Sequence, residues 1–316
     1  MQHATAVTAT TERVEPSPKT GLAANLVLKD NLLFLLFVVP NLVLLAVFTY
    51  RPLIDNVRLS FHDWSLASVD PARWIGLDNY REFFSKAESW QVVTITLIFT
   101  VSAVVFSMVL GLALAMLLDQ NLKGRNLVRS AVFAPFVISG AAIGAAFYFV
   151  FNPQFGATAS ILAWFGIESP DFYQDPGWAL FLVTFTYIWK NLGYTFVIYL
   201  AALQGLNKDL DEAAAIDGTP AWRKFWRVTL PQLRPATYFL SITVLLNSLQ
   251  VFDIINIMFP AGGPQGGTTT MVFDIYWQTF RNQRAGYGAT IATIMFLVLL
   301  IVTVVQVRMM DRGDDK

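Results

Sequence analysis

Apolar residues in this chain are gathered into long runs, and most charged residues are confined to the segments between the runs. A helix that crosses a bilayer needs about 20 mostly apolar residues, and six runs are long enough. The pattern therefore predicts six membrane-spanning helices, over about Leu32 to Tyr50, Trp90 to Leu118, Ser130 to Phe151, Trp178 to Leu203, Pro235 to Met258 and Gly286 to Val307.

The composition agrees with a membrane protein. Hydrophobic residues make up 55% of the chain and charged residues only 14%, whereas a soluble domain carries roughly 25% charge. A net charge of zero gives no reason to expect a nucleic-acid partner. The absence of cysteine excludes disulfides and thiolate chemistry, and with only two histidines, His3 and His62, a metal site is not expected.

Lys and Arg are enriched in cytoplasmic loops, so their distribution predicts the orientation. With both termini in the cytoplasm, the inner segments hold fourteen of these cations and the outer segments seven, while Lys190 lies within a span. This imbalance favours cytoplasmic termini and therefore an even number of spans.

The predicted fold is all-α, a polytopic membrane protein with six transmembrane helices and a cytoplasmic helix-turn-helix loop at about 205–231. Residues 1–30 are polar and predict a disordered cytoplasmic tail. The membrane domain covers 31–308, with its first span a retained anchor, and 309–316 form a second cytoplasmic tail.

The loop between spans four and five predicts two short helices. Asn207 can cap the first helix, and acidic residues in its early turns suit the helix dipole. Gly218 ends this helix, and Thr219 caps the second helix with Pro220 at its first position. Such a hairpin either inserts into a groove of a partner or packs on its own membrane domain as a solvated amphipathic pair.

The loop also resembles the coupling motif of ABC importer permeases. It has Glu212-Ala213-Ala214, then Gly218 after three residues, and it ends in Leu230-Pro231. Val228 stands where isoleucine is usual, which is a conservative departure. Gly76 to Tyr80 and Gly262 to Thr270 resemble segments of the carbohydrate and glycerol-3-phosphate uptake branch of that family, so the resemblance extends over nearly everything after about residue 30.

The resemblance implies the partners and the energy source. The chain would be a multi-pass subunit of a bacterial plasma (inner) membrane, paired with a second homologous permease, two ATPase subunits and an extracytoplasmic solute-binding protein. It would bind no cofactor, because ATP and Mg would be held by the ATPase subunits. The residues expected to contact an ATPase are Glu212, Ala213, Ala214, Asp217 and Gly218, with Glu212 pairing with a basic residue there.

Polar residues inside spans are costly and usually face a cavity or another helix. Spans four and five hold most of them, and in related permeases the helices before and after the coupling loop contact the substrate. The candidate substrate-binding residues are Tyr187, Lys190, Asn191, Tyr194, Asn247, Gln250 and Asp253. Asn247, Gln250 and Asp253 recur every three residues and are expected to share one helix face. The alternative role for the whole group is hydrogen bonding between helices.

Lys190 has two interpretations. A cation in the middle of a span can attract a phosphate or another anion, which favours a glycerophosphate-type solute over a neutral sugar. Alternatively, Lys190 pairs with Asp253 and joins two helices.

Two other functions are less consistent with the sequence. An ion-coupled secondary transporter of a polar solute needs an ionisable relay in the membrane, for which Lys190 and Asp253 are thin support. An intramembrane enzyme is disfavoured because the sequence has no Gly-x-Ser-x-Gly or His-Glu-x-x-His motif. No Gly-x-x-x-x-Gly-Lys-Ser/Thr phosphate loop occurs either, so the chain is expected not to hydrolyse ATP.

Overall fold

A computed structural model describes residues 34–120 and 123–314. The side chains of Lys208, Asp211, Ala213 and Ala215 and those beyond residue 308 are outside this description, as is the predicted tail at 1–30. The chain divides into two compact units, Met1–Asp55 and Asn56–Lys316.

The described residues are almost entirely helical. The helices are α1 (Phe34–Leu59), α2 (Asp78–Ser85), α3 (Ala87–Asp119), α4 (Arg125–Val137), α5 (Gly140–Val150), α6 (Ala157–Trp164), α7 (Pro176–Gln204), α8 (Lys208–Ile216), α9 (Ala221–Lys224), α10 (Leu230–Gln232), α11 (Arg234–Leu249), α12 (Asp253–Met258), α13 (Met271–Tyr276) and α14 (Ala285–Asp314). Two-residue strands, β1 (His62–Asp63) and β2 (Arg73–Trp74), form one antiparallel pair with His62 opposite Trp74. The predicted all-α class is therefore confirmed.

The predicted number of six spans is not established. By length and apolar composition four described helical stretches can cross a membrane: Phe34–Leu59, Ala87–Asp119, Arg234–Met258 and Ala285–Arg308. The pair α4 and α5 makes a fifth if it is counted as one bent span. The remaining predicted span, the fourth along the chain, corresponds to α7, which has 29 residues but carries Lys190 and Asn191 in its middle.

The first unit contains the larger part of α1. This helix includes a π-helical turn at Ala46–Tyr50. Its apolar side chains, such as Phe37 and Phe48, are exposed within the chain. An apolar surface of this kind is what lipid or another protein covers.

In the second unit, α3 and α7 pack against each other at small residues. Gly111 of α3 lies against Thr195 of α7, and a Cβ at Gly111 would overlap the threonine hydroxyl. Thr195 Oγ1 donates to the Ser107 carbonyl at 2.7 Å, a side-chain hydrogen bond between the two helices. Gly193 lies similarly close to the α4 backbone at Val132 and Phe133. Small residues at these points let helices approach closely in an apolar environment.

The Gly76 to Tyr80 segment has a structural role. Gly76 adopts a φ of 60°, which glycine tolerates without steric cost. The buried amide of Asn79 donates to the carbonyls of Ser60 at 3.1 Å and His62 at 3.0 Å. This side chain therefore holds α2 to the turn that precedes β1.

An ion cluster joins α2 to the start of α14. Glu82 accepts from Lys86 and from Arg284, each at 2.5 Å, and the Arg284 guanidinium lies 4.4 Å from the centre of the Tyr287 ring. Burial alone would raise the pKa of Glu82, but the hydrogen bonds from Arg284 and Lys86 outweigh it and the pKa is lowered. The ionised carboxylate is therefore stabilised in the folded protein.

Replacing Glu82 with Gln should destabilise this connection, by about 1 kcal/mol for a partly exposed charged pair. A carboxylate with a lowered pKa stabilises the fold above its ordinary pKa and loses that contribution as the pH falls through the lowered value. The variant should therefore melt at a lower temperature than wild type at pH 7, and the difference should narrow below pH 4.5. Intrinsic tryptophan fluorescence in detergent measures both.

The matched control is Glu88→Gln, because Glu88 is exposed and lies one residue inside α3. Equal melting temperatures for the Glu82 and Glu88 variants would show that the Glu82 cluster does not stabilise the fold.

Candidate functional site

The loop between α7 and α11 forms a two-armed hairpin. Its first arm is residues 207–218, and its second arm is residues 219–234. Asn207 Oδ1 accepts from the Asp209 backbone N–H at 2.9 Å, which confirms the predicted cap of α8. Gly218 has a φ of 64°, and the Thr219 N–H donates to the Ala214 carbonyl at 3.0 Å. This pattern is a glycine C-cap that turns the chain sharply.

The second arm departs from the prediction at its start. The residue before α9 is Pro220, not Thr219, and no side chain caps this helix. Pro220 has an extended backbone, so the helix begins at Ala221. The arm then continues through a π-helical turn, Phe225–Thr229, into α10 and α11.

The hairpin exposes some predicted coupling residues and buries one. Glu212, Asp217 and Gly218 are exposed. Ala214 is only 7% exposed and packs within the hairpin. Ala213 lies on the same helix, and its side chain is outside the described set. The exposed tip is therefore acidic with a glycine, and Ala214 serves the hairpin's own packing in this structure.

Ile216, at the end of α8, was missed by the sequence analysis. It is 86% exposed and lies two residues before the Gly218 turn. The sequence does contain a signal for Ile216: it is an aliphatic residue at the end of a helix that is otherwise acidic or alanine-rich. A cavity of about 500 Å³ separates the two arms behind this tip, bordered by Leu210, Ala214, Arg223 and Arg227.

The third predicted span is not one helix. It divides into α4 and α5, whose axes differ by 103°. Pro135 lies inside α4, and the change of direction comes after it, where Ile138 is extended. Ser139 then caps α5 by accepting from the Ala142 N–H at 3.3 Å. The predicted span Ser130 to Phe151 is therefore not one continuous helix, because a capped second helix starts in a new direction.

The fifth predicted span is also interrupted. α11 ends at Leu249 and α12 begins at Asp253, with Phe252 between them in a non-helical conformation. Asn247, Gln250 and Asp253 therefore do not share a face of one continuous helix, as their spacing had suggested. All three are nevertheless exposed in the isolated chain.

The two interruptions meet. The Asp253 carboxylate lies against Gly140, and a Cβ at Gly140 would overlap it. On the other side of the same break, Lys190 Nζ lies 3.5 Å from the Phe136 carbonyl and 5.4 Å from the centre of its ring. Lys190 and Asp253 thus contact the two ends of the α4–α5 break, and these two described residues do not form the ion pair that the sequence had suggested.

The other α7 candidates have different environments. Tyr187 is 5% exposed and packs edge-to-face on Phe99 in the apolar core. Asn191 is half-buried and donates to the Tyr187 carbonyl at 2.9 Å. Tyr194 is also half-buried; it stacks on Phe136 and donates to Thr243 Oγ1 at 3.2 Å. Tyr194 therefore links α4, α7 and α11, whereas Tyr187 supports the core behind them.

The arrangement defines a site built from broken helices. In many transporters, interrupted helices place backbone ends and polar side chains at the midplane, where a solute binds. Phe136 and Gly140 were not predicted to belong to this region, although the Gly140–Gly144 segment had the small residues that close helix contact requires. The polar groups here are the half-buried ammonium of Lys190, the two exposed amides of Asn247 and Gln250, and the exposed carboxylate of Asp253.

The fold and these two regions define a class: a multi-pass helical membrane protein with a protruding, capped hairpin. Comparison with known families gives the same class, since residues 107–313 match the family described as binding-protein-dependent transport system inner membrane component. The chain belongs to this family. Membership confirms the resemblance first seen in the Glu212 to Pro231 motif and favours a permease over the ion-coupled alternative.

Known relatives are similar to this chain over more than the 107–313 region that the family matches. The probable starch degradation products transport system permease protein AmyD of Thermoanaerobacterium thermosulfurigenes is 32% identical, over 90% of this chain and 96% of its own. The sn-glycerol-3-phosphate transport system permease protein UgpA of Pectobacterium atrosepticum is 30% identical, over 90% and 96% respectively.

A solved structure shares the fold. It is the crystal structure of a bacterial ABC transporter involved in the import of the acidic polysaccharide alginate, with a TM-score of 0.79 and 24% identity. The match covers 90% of this chain and 96% of that one. The arrangement of helices described above is therefore shared with a chain of that transporter.

The contact between Gly140 and Asp253 should tolerate no added carbon. Gly140→Ala should destabilise the protein by roughly 1–3 kcal/mol because the new methyl group overlaps the carboxylate. The double variant with Asp253→Ala should recover most of that loss, since the carboxylate is gone. Thermal unfolding of the four proteins of this mutant cycle measures the coupling.

Gly205→Ala is the control, because a Cβ there meets only carbonyl oxygens at 3.6 and 3.7 Å. If Gly140→Ala were as stable as Gly205→Ala, the two helix breaks would not be closely packed at this point.

Proposed function

We propose that the chain is the permease subunit of an ATP-driven, binding-protein-dependent importer, and that it forms half of the translocation pathway. The hairpin of residues 207–234 carries this proposal. It has the spacing of the family's coupling motif, and its caps make it a rigid projection with an exposed acidic tip. A rigid projection can transmit the movement of a partner to the helices that follow it.

In this proposal the tip of the hairpin docks into an ATPase subunit. Glu212 and Asp217 offer carboxylates to basic groups, and Ile216 offers an apolar contact between them. Gly218 presents no side chain, and among the described atoms none beyond its chain neighbours comes within 4 Å of its Cβ position. Open space beside a glycine suits close approach by another molecule.

The rest of the assembly follows the family pattern. A second homologous permease would complete the pathway, two ATPase subunits would hold ATP and Mg, and an extracytoplasmic solute-binding protein would deliver the solute. This chain itself would bind no cofactor. Both termini and the hairpin would lie in the cytoplasm, since fourteen Lys and Arg residues then face inward against seven outward.

The proposed cargo is a glycerophosphate-type solute or a sugar. Two relatives act on different chemistries by their names, starch degradation products and sn-glycerol-3-phosphate. In this chain, Lys190 supports the anionic solute, because its ammonium contacts only the carbonyl and ring of Phe136 among the described residues. A half-buried cation without a carboxylate partner favours binding of an anion.

Docking by the hairpin tip predicts that Gly218→Asp and Glu212→Lys uncouple transport while the membrane domain stays folded. Aspartate tolerates a positive φ better than most residues, so the turn at Gly218 should survive while the added charge obstructs the partner. Solute uptake into vesicles and solute-stimulated ATP hydrolysis should fall together, with normal amounts of the chain in the membrane.

Gly124→Asp is the matched control for the turn, because Gly124 also has a positive φ, of 79°, and in the described part of the chain only its sequence neighbours come within 4 Å of its Cβ position. Glu168→Lys controls for the charge reversal at an exposed site. Solute uptake at the wild-type rate by both Gly218→Asp and Glu212→Lys would contradict the proposed coupling role.

A role for Lys190 in solute binding predicts that Lys190→Ala abolishes transport of a phosphate-bearing solute while the complex still assembles. The loss should be at least about tenfold, the value of one charge-assisted hydrogen bond. Lys190→Arg, which keeps the charge, should retain part of the activity. Uptake of glycerol 3-phosphate and of a neutral sugar, each with its binding protein, distinguishes charge recognition from a general defect.

Loss of the assembled complex in Lys190→Ala would favour the structural interpretation instead. Equal loss of the charged and the neutral solute, with the complex intact, would contradict recognition of an anion by this side chain.

A further inference from the structure

The second arm of the hairpin has three distinct faces. Arg223, Arg227 and Pro231 border the cavity that faces the first arm. Ala221, Lys224 and Phe225 border a second cavity, of about 620 Å³, towards the ends of α3 and α7. Residues 222 and 226 are one helical turn apart and lie on the third face.

That third face consists of two tryptophans. Trp222 is 73% exposed and Trp226 is 49% exposed. Their rings contact each other edge-to-face, with centroids 5.4 Å apart. Two indoles held together at the surface form an apolar patch. Each indole also has an N–H group that can donate a hydrogen bond.

The charges of the two arms are opposite. The first arm carries four carboxylates, Asp209, Asp211, Glu212 and Asp217, and one lysine. The second arm carries Arg223, Lys224, Arg227 and Arg234 and no acidic residue. Arg223 and Arg227 are exposed, and neither forms an ion pair with the side chains that the structure describes.

The second arm also lies close to the membrane. It leads directly into the apolar stretch Arg234–Met258. Trp226 precedes Arg234 by eight residues, which is about 12 Å along a helix. The interfacial region where tryptophans accumulate lies just outside the hydrocarbon core. The aromatic patch is therefore within reach of lipid headgroups.

We propose that Trp222, Trp226, Arg223 and Arg227 bind the headgroups of anionic phospholipids in the leaflet beside the hairpin. The indoles lie at the headgroup level, and the two guanidinium groups hold lipid phosphates by paired hydrogen bonds. Arg223 and Arg227 also border the cavity towards the first arm, but both remain exposed, so their guanidinium groups are accessible at its edge. Two parts of this inference rest on the proposed function: that the leaflet is the inner one, and that the ATPase contacts the first arm.

This surface suits lipid better than a protein partner. A protein groove that accepts the acidic tip of the first arm would be basic, and it would repel the cations of the second arm. Anionic lipid complements the cations, and it also accommodates indole rings at the boundary between water and hydrocarbon. The two arms would thus separate the two partners, with the ATPase on one side and the membrane on the other.

Quenching of tryptophan fluorescence by brominated lipids tests the proposal. The full chain, purified with the subunits that accompany it, is placed in nanodiscs of phosphatidylcholine that contain brominated phosphatidylglycerol or, separately, brominated phosphatidylcholine. Subtracting the emission of the Trp222→Phe/Trp226→Phe variant from that of wild type isolates these two of the nine tryptophans. The isolated signal should be quenched about twofold more by the anionic lipid.

The double variant Arg223→Gln/Arg227→Gln should lose the preference for phosphatidylglycerol while quenching by phosphatidylcholine persists. Trp164→Phe is the control, since Trp164 is 85% exposed on α6, outside the hairpin, and its isolated signal should show no such preference.

Two results would overturn the proposal. The first is no quenching of the Trp222 and Trp226 signal by either lipid, which would mean that water or a protein covers the patch. The second is equal quenching by both lipids, which would remove the anionic selectivity. Neither measurement requires ATP hydrolysis or solute, and nanodiscs expose both leaflets, so failure here is distinguishable from failure of the proposed importer function.

Discussion

The contact between Asp253 and Gly140 is the constraint on which the membrane domain depends, because it joins two helices that are each interrupted. In lipid, a backbone that leaves the helical conformation must find its hydrogen-bond partners within the protein. Here Ser139 caps one broken end, and close packing of the two breaks shields the remainder. A glycine at position 140 is what allows the carboxylate to approach.

The same junction explains why charged side chains occur in an otherwise apolar region. Lys190 and Asp253 reach the α4–α5 break from different helices and do not neutralise each other. Tyr194, stacked on Phe136 and bonded to Thr243, fixes the helices around them.

Outside the membrane, the hairpin combines rigidity with a division of charge. The Asn207 cap and the Gly218 turn set the direction of the first arm. The second arm passes without a long loop into α11, the helix that bears Asn247. In the proposed importer, the acidic arm would contact the ATPase and the basic arm would contact lipid. The lipid contact would then hold the second arm in place while the first arm moves with the ATPase.

Local signals in the sequence were sufficient for the fold class, for the existence of most long helices and for the caps at Asn207 and Gly218. These depend on runs of apolar residues and on the conformational preferences of single residues, which neighbours along the chain reveal. The spacing of the coupling motif likewise predicted the family. The Thr219 cap was predicted wrongly because several residues there can begin a helix, and their spacing does not choose between them.

The sequence by itself therefore determined the class of protein, its membrane character and the place of the hairpin of residues 207–234. Only the tertiary structure decided where the third and fifth hydrophobic runs break, that Asp253 meets Gly140 and not Lys190, and that Ala214 faces inward while Ile216 and the two tryptophans face outward. The physical reason is that hydrophobicity measures the transfer of a segment into lipid, whereas a break or a buried face depends on which distant helix supplies the packing surface.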